Sequence, residues 1–183
     1  MEIQIFDRLA DNCYQFIDQR CIREKGIYRI PGNNTESQEI YQRYIQHDFC
    51  DLSTTLKDDF TVTTLLKYSI TQLETPLIPH SLYPILRSIL YIKEETGKLP
   101  RRALTKVIQM IPDKNMKILV KLIRHLKHVA DLKEFNQMGL VNLLIVFGLT
   151  LLKAFNENPL EEMRANPIIL KILFDEIIAL NHL

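Results

Sequence analysis

Apolar residues recur every three or four positions along nearly the whole chain, which is the spacing of one face of an α-helix. The first of these runs carries charged residues on its other face, and its apolar positions are Phe6, Leu9, Ala10, Cys13, Phe16 and Ile17. No segment alternates with a period of two, and the only β-prone pair, Val62 and Thr63, stands at a predicted helix start. The pattern therefore predicts an all-α protein.

Capping residues and helix breakers divide this pattern into about eight or nine helices. The predicted helix starts are the capping box formed by Thr35 and Gln38, then Thr61, Ser81, Arg101, Asp113, Gly139 and Pro167. A polar loop is expected at 50–59, and another passes through Asn156 and Pro159. Because there is no repeat, low-complexity tract or linker, we predict one helical-bundle domain over residues 1–183.

The longest apolar run covers residues 138–152 and contains Asn142 and Thr150. It is shorter than the roughly 20 residues that a membrane span requires. We therefore predict a buried core helix here and no transmembrane segment. The N-terminus shows no basic region followed by an apolar run, so no signal peptide is predicted.

The composition is that of an ordinary globular protein, and it narrows the choice of partners. Of 183 residues, 46% are hydrophobic and 25% are charged, and the formal net charge is +1. A charge this small gives no global attraction to nucleic acid or to anionic membranes, so an electrostatic partner must meet a local patch. The three cysteines lack metal-ligand spacing, which favours reduced thiols in a cytoplasmic protein. We also expect the protein to be a monomer.

The sequence lacks the common enzyme motifs. There is no GxxxxGK[ST], GxGxxG, GxSxG or HExxH, so neither a nucleotide nor a metal or other cofactor is predicted. His125 and His128 share a helix face without a Cys or carboxylate at ligand spacing, which favours a solvated pair. The chain is therefore typical of a binding module rather than of an enzyme.

One loop stands out because it holds an arginine between two glycines and beside a proline, in the order Gly26-Ile27-Tyr28-Arg29-Ile30-Pro31-Gly32. Glycine permits a positive φ, and proline fixes its own φ and restricts the residue before it. Such a loop can point a side chain away from the domain. The planar guanidinium of Arg29 suits two-pronged contact with phosphate oxygens, and the alternatives are a surface ion pair or a loop-stabilising hydrogen bond.

Together with that loop, two further stretches resemble the Rho GTPase-activating (RhoGAP) domain family. The loop is similar to the family's arginine-finger loop. Residues 61–79, with Leu65-Leu66-Lys67 followed by Leu73-Glu74-Thr75-Pro76-Leu77-Ile78-Pro79, resemble its lysine-bearing helix and proline turn. Asn136-Gln137-Met138 followed by residues 142–152 resembles its N-x-M…NL-x-x-x-FG-P-x-LL helix. The resemblance extends from about Phe6 to the last helix.

The resemblance implies a helical domain that docks on the GTP-bound form of a small GTPase of the Rho, Rac or Cdc42 type. Arg29 would enter the partner's active site in trans. Lys67 would lie exposed on the docking face and hold the finger loop or the partner. Asn142 would lie beside the finger and contact the switch region of the GTPase. Pro167, in an Asn-Pro pair, would pack against the GTPase. The alternatives are a solvated lysine, a buried amide and a simple helix starter.

The sequence departs from the family pattern at three positions. Thr71 stands where many members carry an arginine that would contact the GTPase, which puts affinity or GTPase preference in question. Leu149 replaces a proline after Phe-Gly, and Glu74 replaces a common proline of the turn. We expect Leu149 to be a packing change at a buried helix end.

A basic stripe, defined as Lys114, Lys117, Lys121, Arg124 and His128, recurs at spacings of three and four. We interpret it as a solvated helix face, and a surface for acidic protein or anionic lipid is the alternative. Three functional hypotheses follow: a GTPase activator, a GTPase-binding scaffold without activating activity, and a phosphoinositide- or membrane-binding domain. The presence of Arg29 favours the activator.

Overall fold

A computed structural model describes residues 1–152 and 159–181, and within these ranges the chain is all-α, as predicted. The helices are α1 (Ile3–Phe16), α2 (Asn34–Ile45), α3 (Leu52–Thr55), α4 (Thr61–Thr71), α5 (Tyr83–Thr96), α6 (Arg101–Gln109), α7 (Asp113–Asp131), α8 (Lys133–Asn136), α9 (Leu140–Leu151) and α10 (Pro159–Asn181). Helices α3 and α8 are single turns, too short for the apolar period to reveal. No helix in the described part of the chain has the length and apolar character to cross a membrane.

The chain forms two compact units. The first contains Met1–Thr75 and His125–Leu143, and in it α4 packs against both α1 and α2. Its core is built from fully buried apolar side chains, among them Phe6, Leu9, Ile17, Ile40, Leu65 and Leu66. The second contains Pro76–Arg124 and Leu144–Leu183, and in it α5, α6 and α10 pack against one another. The prediction of one domain over residues 1–183 stays a prediction.

The start of α2 differs from its prediction. Asn33, rather than Thr35, caps the helix, because its side-chain oxygen accepts a hydrogen bond from the backbone N–H of Glu36 at 3.1 Å. Thr61 is the first residue of α4 and does not cap it. Its hydroxyl instead accepts from the backbone N–H of Asn33 at 3.0 Å. The hydroxyl of Thr61, which the local pattern assigns to capping α4, is thus used in a contact with the start of α2.

The last helix also differs from its prediction. It begins at Pro159, and Pro167 lies inside it rather than at its start. The preceding residue, Asn166, is fully buried, and its amide donates to the carbonyl oxygens of Gly148 at 3.3 Å and Leu152 at 3.0 Å. A side chain on Gly148 would meet Asn166 at 3.2 Å, so this glycine lets α10 approach α9 closely. The predicted loop residue Asn156 lies outside the described residues.

Candidate functional site

The loop at 26–32, called the finger loop below, exposes Arg29 to solvent directly after two buried residues. Ile27 and Tyr28 are fully buried, whereas Arg29 and Ile30 are exposed. The backbone N–H groups of Arg29 and Ile30 both donate to the carbonyl oxygen of Gly26, at 2.9 and 2.8 Å. Gly26 and Tyr28 adopt φ angles of 77° and 68°, and for a tyrosine this left-handed conformation costs on the order of 1 kcal/mol. The loop is a tight turn in which the Arg29 side chain is exposed, and one of its guanidinium nitrogens lies 3.2 Å from the position of a β-carbon on Gly26.

Lys67 on α4 holds the peptide group next to Arg29. Its ammonium nitrogen Nζ donates a hydrogen bond to the carbonyl oxygen of Tyr28 at 2.6 Å. The side chain is half-buried, so the expectation of an exposed lysine was wrong, and burial lowers the pKa of Lys67. A charged donor makes this a stronger hydrogen bond than a neutral pair would. Lys67 therefore contacts the finger loop, and its contact with the partner stays a prediction.

The end of the finger loop is fastened to the first turns of α4. The backbone N–H of Gly32 donates to the hydroxyl of Thr64 at 2.9 Å, next to the contact of Asn33 with Thr61. A β-carbon on Gly32 would lie 2.2 Å from the backbone nitrogen of Thr61, so the two backbones touch here and no side chain fits. This close approach explains why the loop ends in glycine.

The beginning of the finger loop is fastened by Asn136, for which the sequence pattern predicts no role of its own. Its carbonyl oxygen accepts from the backbone N–H of Gly26 at 2.8 Å. Its buried side-chain amide donates to the carbonyl oxygens of Ile22 at 2.9 Å and Val129 at 2.8 Å, and its Oδ1 accepts from the N–H of Met138. The available signal was a polar residue just before a strongly apolar helix.

The ring of Tyr28 anchors the centre of the loop on α7. Its hydroxyl shares a hydrogen bond of 2.7 Å with Nε2 of His125, and the imidazole stacks on Tyr14 at a centroid distance of 4.4 Å. The prediction of a solvated histidine pair is wrong for His125, which is buried, whereas His128 is exposed. Burial, with a smaller contribution from His128, lowers the pKa of His125 to about 3, so the imidazole is neutral at pH 7.

The buried neutral histidine makes stability depend on pH. The pKa of His125 in the folded protein lies below the unfolded value of about 6.5. The neutral imidazole therefore contributes its full stability above pH 6.5, and this contribution is lost as the pH falls toward 3. Between pH 6 and 4, we expect His125 to lower the free energy of unfolding by about 1.4 kcal/mol per pH unit. Urea denaturation should show that His125→Gln removes this slope, whereas His47→Asn, at an exposed histidine, retains it. Equal slopes in all three proteins would contradict the prediction.

Asn142 lies in the first turn of α9 and is exposed, not buried. Its amide reaches the carbonyl oxygen of Gln137 at 3.5 Å, and Gln137 directly follows the residue that fastens the finger loop. The same helix carries three exposed apolar side chains at a spacing of four: Val141 (61%), Ile145 (51%) and Leu149 (50%). The predictions that this helix is buried and that Leu149 is a buried packing change are therefore wrong. Only the opposite face, with Leu143, Leu144 and Phe147, is buried.

The two remaining residues that were predicted to contact the GTPase are Thr71 and Pro167. Thr71 stands one turn after Lys67, at the last position of α4, where its hydroxyl donates to the carbonyl oxygen of Tyr68 at 2.7 Å. Pro167 is half-buried within α10 of the second unit. Among the described residues, no group of three or more metal-ligating side chains is placed to hold a metal ion.

Together these features define a class: an all-α domain that presents one arginine on a loop fixed at both ends and at its centre. The match to a family of known proteins is specific. Residues 8–156 match the RhoGAP domain, and the chain belongs to this family.

Relatives and solved structures agree with this assignment. The chain is 28% identical over 167 residues to Rho GTPase-activating protein 24 of Rattus norvegicus. The matched region covers 90% of this chain and 22% of that protein. It is 30% identical over 146 residues to Rho GTPase-activating protein 35 of the same species, covering 78% and 9%. It thus spans less than a quarter of either relative.

Two crystal structures share the fold. The BH domain of GRAF, the GTPase regulator associated with focal adhesion kinase, is 25% identical with a TM-score of 0.76, covering 98% of this chain and 96% of that one. Human Rho GTPase-activating protein 15 is 27% identical with a TM-score of 0.80, covering 92% and 80%.

Proposed function

We propose that this domain docks on the GTP-bound form of a Rho-family GTPase and inserts Arg29 into the partner's active site to accelerate GTP hydrolysis. The observation that carries this proposal is an exposed arginine on a loop held by Lys67, Thr64 and Asn136. The domain would act as an activator and not as an enzyme, because the nucleotide and the attacking water belong to the partner.

The chemistry follows from where charge develops. Phosphoryl transfer spreads negative charge over the oxygens of the transferred group and the leaving group, and a guanidinium in a dry site stabilises that charge. For GTPases as a class, such an arginine accelerates hydrolysis by about 10³–10⁵. A loop that already holds its backbone in place loses less conformational entropy when the arginine enters the site. The hydrogen bond from Lys67 to Tyr28 supports this role because it fixes the peptide that precedes Arg29.

Within the first unit, the docking surface is proposed to combine the finger loop with the start of α9. Val141 offers apolar area there, and Asn142 offers a polar group beside it. Exposed apolar residues grouped on one helix face are typical of protein contacts. Thr71 is proposed to lie at the border of this surface, and Pro167, in the second unit, is proposed separately to contact the GTPase. Pro167 is only half-buried, which is compatible with a contact.

A single-turnover assay tests the proposal. A panel of GTP-loaded Rho-family GTPases is mixed with the domain, and release of phosphate is followed alongside binding to each GTPase. We expect strong acceleration with at least one member. Binding without acceleration would favour the scaffold function, for which the exposed face of α9 is the supporting observation. Neither binding nor acceleration with any member would contradict both. A cytoplasmic monomer is proposed as the active form, and light scattering of the purified domain checks its mass.

Lys67 provides a separate prediction, because the structure places it behind the finger loop. Lys67→Ala should lower the maximal rate of activation by roughly tenfold, since the carbonyl of Tyr28 loses its charged donor and the loop becomes mobile. The concentration of domain that gives half-maximal activation should change less. Titration of the domain in the single-turnover assay measures both quantities.

Lys67→Met is the matched variant, because it keeps the apolar stem and removes only the donor. It should share the lower maximal rate with Lys67→Ala while retaining more stability. A change confined to the half-maximal concentration would mean that Lys67 contacts the GTPase and does not position the loop.

A further inference from the structure

The positive charge of the chain is concentrated in the segment 98–124, called the basic segment below. It contains eight lysines and arginines and one acidic residue, Asp113, so its net charge is +7. Because the whole chain has a net charge of +1, the remaining residues together carry −6. The basic segment lies entirely in the second unit and comprises α6, the turn after it and the first two-thirds of α7.

Most of these cations are available to a partner. Arg101 forms an ion pair with the buried Glu176 at 2.9 Å, and Lys121 is half-buried. The other six are exposed and form no ion pair with any residue in the described ranges: Lys98, Arg102, Lys106, Lys114, Lys117 and Arg124. Their exposure agrees with the solvated-face interpretation, but that interpretation does not explain why one segment is so free of acidic residues.

Within α7, the cations share one face. Lys114, Lys117 and Arg124 are separated by three and seven residues, which are close to one and two helical turns. At 1.5 Å per residue, they extend over about 15 Å of the helix surface. The charges therefore form a line and do not converge on one point, as they would around a single phosphate.

An exposed apolar side chain interrupts the basic segment. Met110 follows the last residue of α6 and is 57% exposed, between the exposed Lys106 and Lys114. An apolar side chain at a turn flanked by lysines suits the interface of a lipid bilayer, where the chain enters the headgroup region and the ammonium groups meet anionic lipids. An acidic protein surface would match the charge but would not require the exposed methionine.

We propose that the basic segment binds an anionic membrane surface, with the lysines of α6 and α7 against the headgroups and Met110 inserted between them. Binding is electrostatic and needs no particular headgroup, because a line of ammonium groups responds to surface potential. The site lies apart from the finger loop in sequence and requires no GTPase. It therefore stands independently of the proposed function.

Vesicle co-sedimentation of the purified 183-residue chain tests this proposal. Vesicles of phosphatidylcholine alone are compared with vesicles containing about one-quarter phosphatidylserine. We expect binding at least roughly tenfold tighter to the anionic vesicles, and its loss in 1 M salt, where the screening length falls to about 3 Å.

Two charge-reversal variants separate local from global charge. Lys114→Glu/Lys117→Glu should lower the partition coefficient on anionic vesicles by roughly tenfold or more, because each lysine contributes about fivefold. Lys57→Glu/Lys171→Glu changes the net charge equally at exposed lysines outside the basic segment. This variant should change the partition coefficient by less than about twofold. Met110→Ser should weaken binding severalfold without altering its salt dependence, and Met110→Leu should not.

The outcomes are distinct. Selective loss in the Lys114→Glu/Lys117→Glu variant supports the proposal, provided that circular dichroism shows an unchanged fold. Equal loss in the two double variants, or no preference for anionic vesicles, overturns it. Binding to poly-glutamate without binding to anionic vesicles also overturns it and assigns the basic segment to acidic proteins. None of these results depends on GTP hydrolysis.

Discussion

Arg29→Ala is expected to slow activated GTP hydrolysis by a factor on the order of 10²–10⁴. The guanidinium would act only where negative charge develops, so its removal costs transition-state stabilisation and little else. Arg29 is exposed, and its side chain is not needed for the hydrogen bonds of the finger loop, which use its backbone. The fold should therefore remain intact. Single-turnover hydrolysis at saturating domain concentration measures the loss.

Arg29→Lys is the matched variant because it retains the charge. It should restore little of the activated rate of GTP hydrolysis, since an ammonium cannot make the two-pronged contact of a guanidinium. Binding provides a second readout. The natural domain should bind the GDP·aluminium fluoride form of its GTPase more tightly than the GTP-analogue form, and Arg29→Ala should lose this preference.

The two readouts separate the competing hypotheses. If Arg29→Ala hydrolyses GTP as fast as the natural domain, the assignment of the finger fails even though the family assignment stands. If the natural domain binds a GTPase but shows no preference for the aluminium fluoride form, the scaffold hypothesis replaces the activator. A uniform loss of binding to both forms in Arg29→Ala would place Arg29 in the docking surface.

The sequence was sufficient for the existence of the longer helices and for the loop that carries Arg29, because both depend on local rules. Helical periodicity is visible whenever one face is apolar and the other polar. Two glycines and a proline around one arginine indicate a constrained turn without any knowledge of its neighbours. The positive φ of Tyr28 was hidden, because tyrosine has no local preference for it. This conformation is held by distant contacts, the hydrogen bond of its hydroxyl with His125 and that of its carbonyl oxygen with Lys67.

Errors arose where the local rules competed with packing. Helix α9 is apolar on nearly all sides, so periodicity could not show that Val141, Ile145 and Leu149 form an exposed face. Pro167 suggested a helix start because proline is common there. In the structure, Pro167 lies inside α10, directly after Asn166. Asn166 packs closely on Gly148 and donates a hydrogen bond from its buried amide to the Gly148 carbonyl.

The contacts that hold the finger loop could not be predicted, because they join residues that are distant in the sequence. Lys67 is 39 positions from Tyr28, and Asn136 is 114 positions from Ile22. A lysine on a helix and an asparagine before one each have a common explanation, solvation and capping respectively. The structure replaces both with hydrogen bonds to backbone carbonyls.

Asn136→Ala is expected to combine a large loss of stability with a loss of activation. The variant leaves the carbonyl of Ile22 and the N–H of Met138 without partners in a buried site, and the carbonyl of Val129 keeps only its hydrogen bond from the N–H of Leu132. Each unsatisfied group costs about 1–3 kcal/mol, which suggests a total on the order of 3–5 kcal/mol. For a chain of this size, that corresponds to a melting temperature lower by roughly 10 °C. Thermal denaturation followed by circular dichroism measures this shift.

Asn166→Ala is the matched control, since Asn166 is equally buried and also makes three side-chain hydrogen bonds, to Gly148, Leu152 and Tyr83. It should lower the melting temperature by a similar amount. Well below both melting temperatures, Asn136→Ala should reduce the maximal activated rate by roughly tenfold, because the backbone of Asn136 also anchors Gly26 of the finger loop. Asn166→Ala should leave that maximal rate unchanged, because none of its hydrogen-bond partners belongs to the finger loop. A full maximal rate in Asn136→Ala would mean that the remaining anchors at Lys67 and Thr64 are enough to position Arg29.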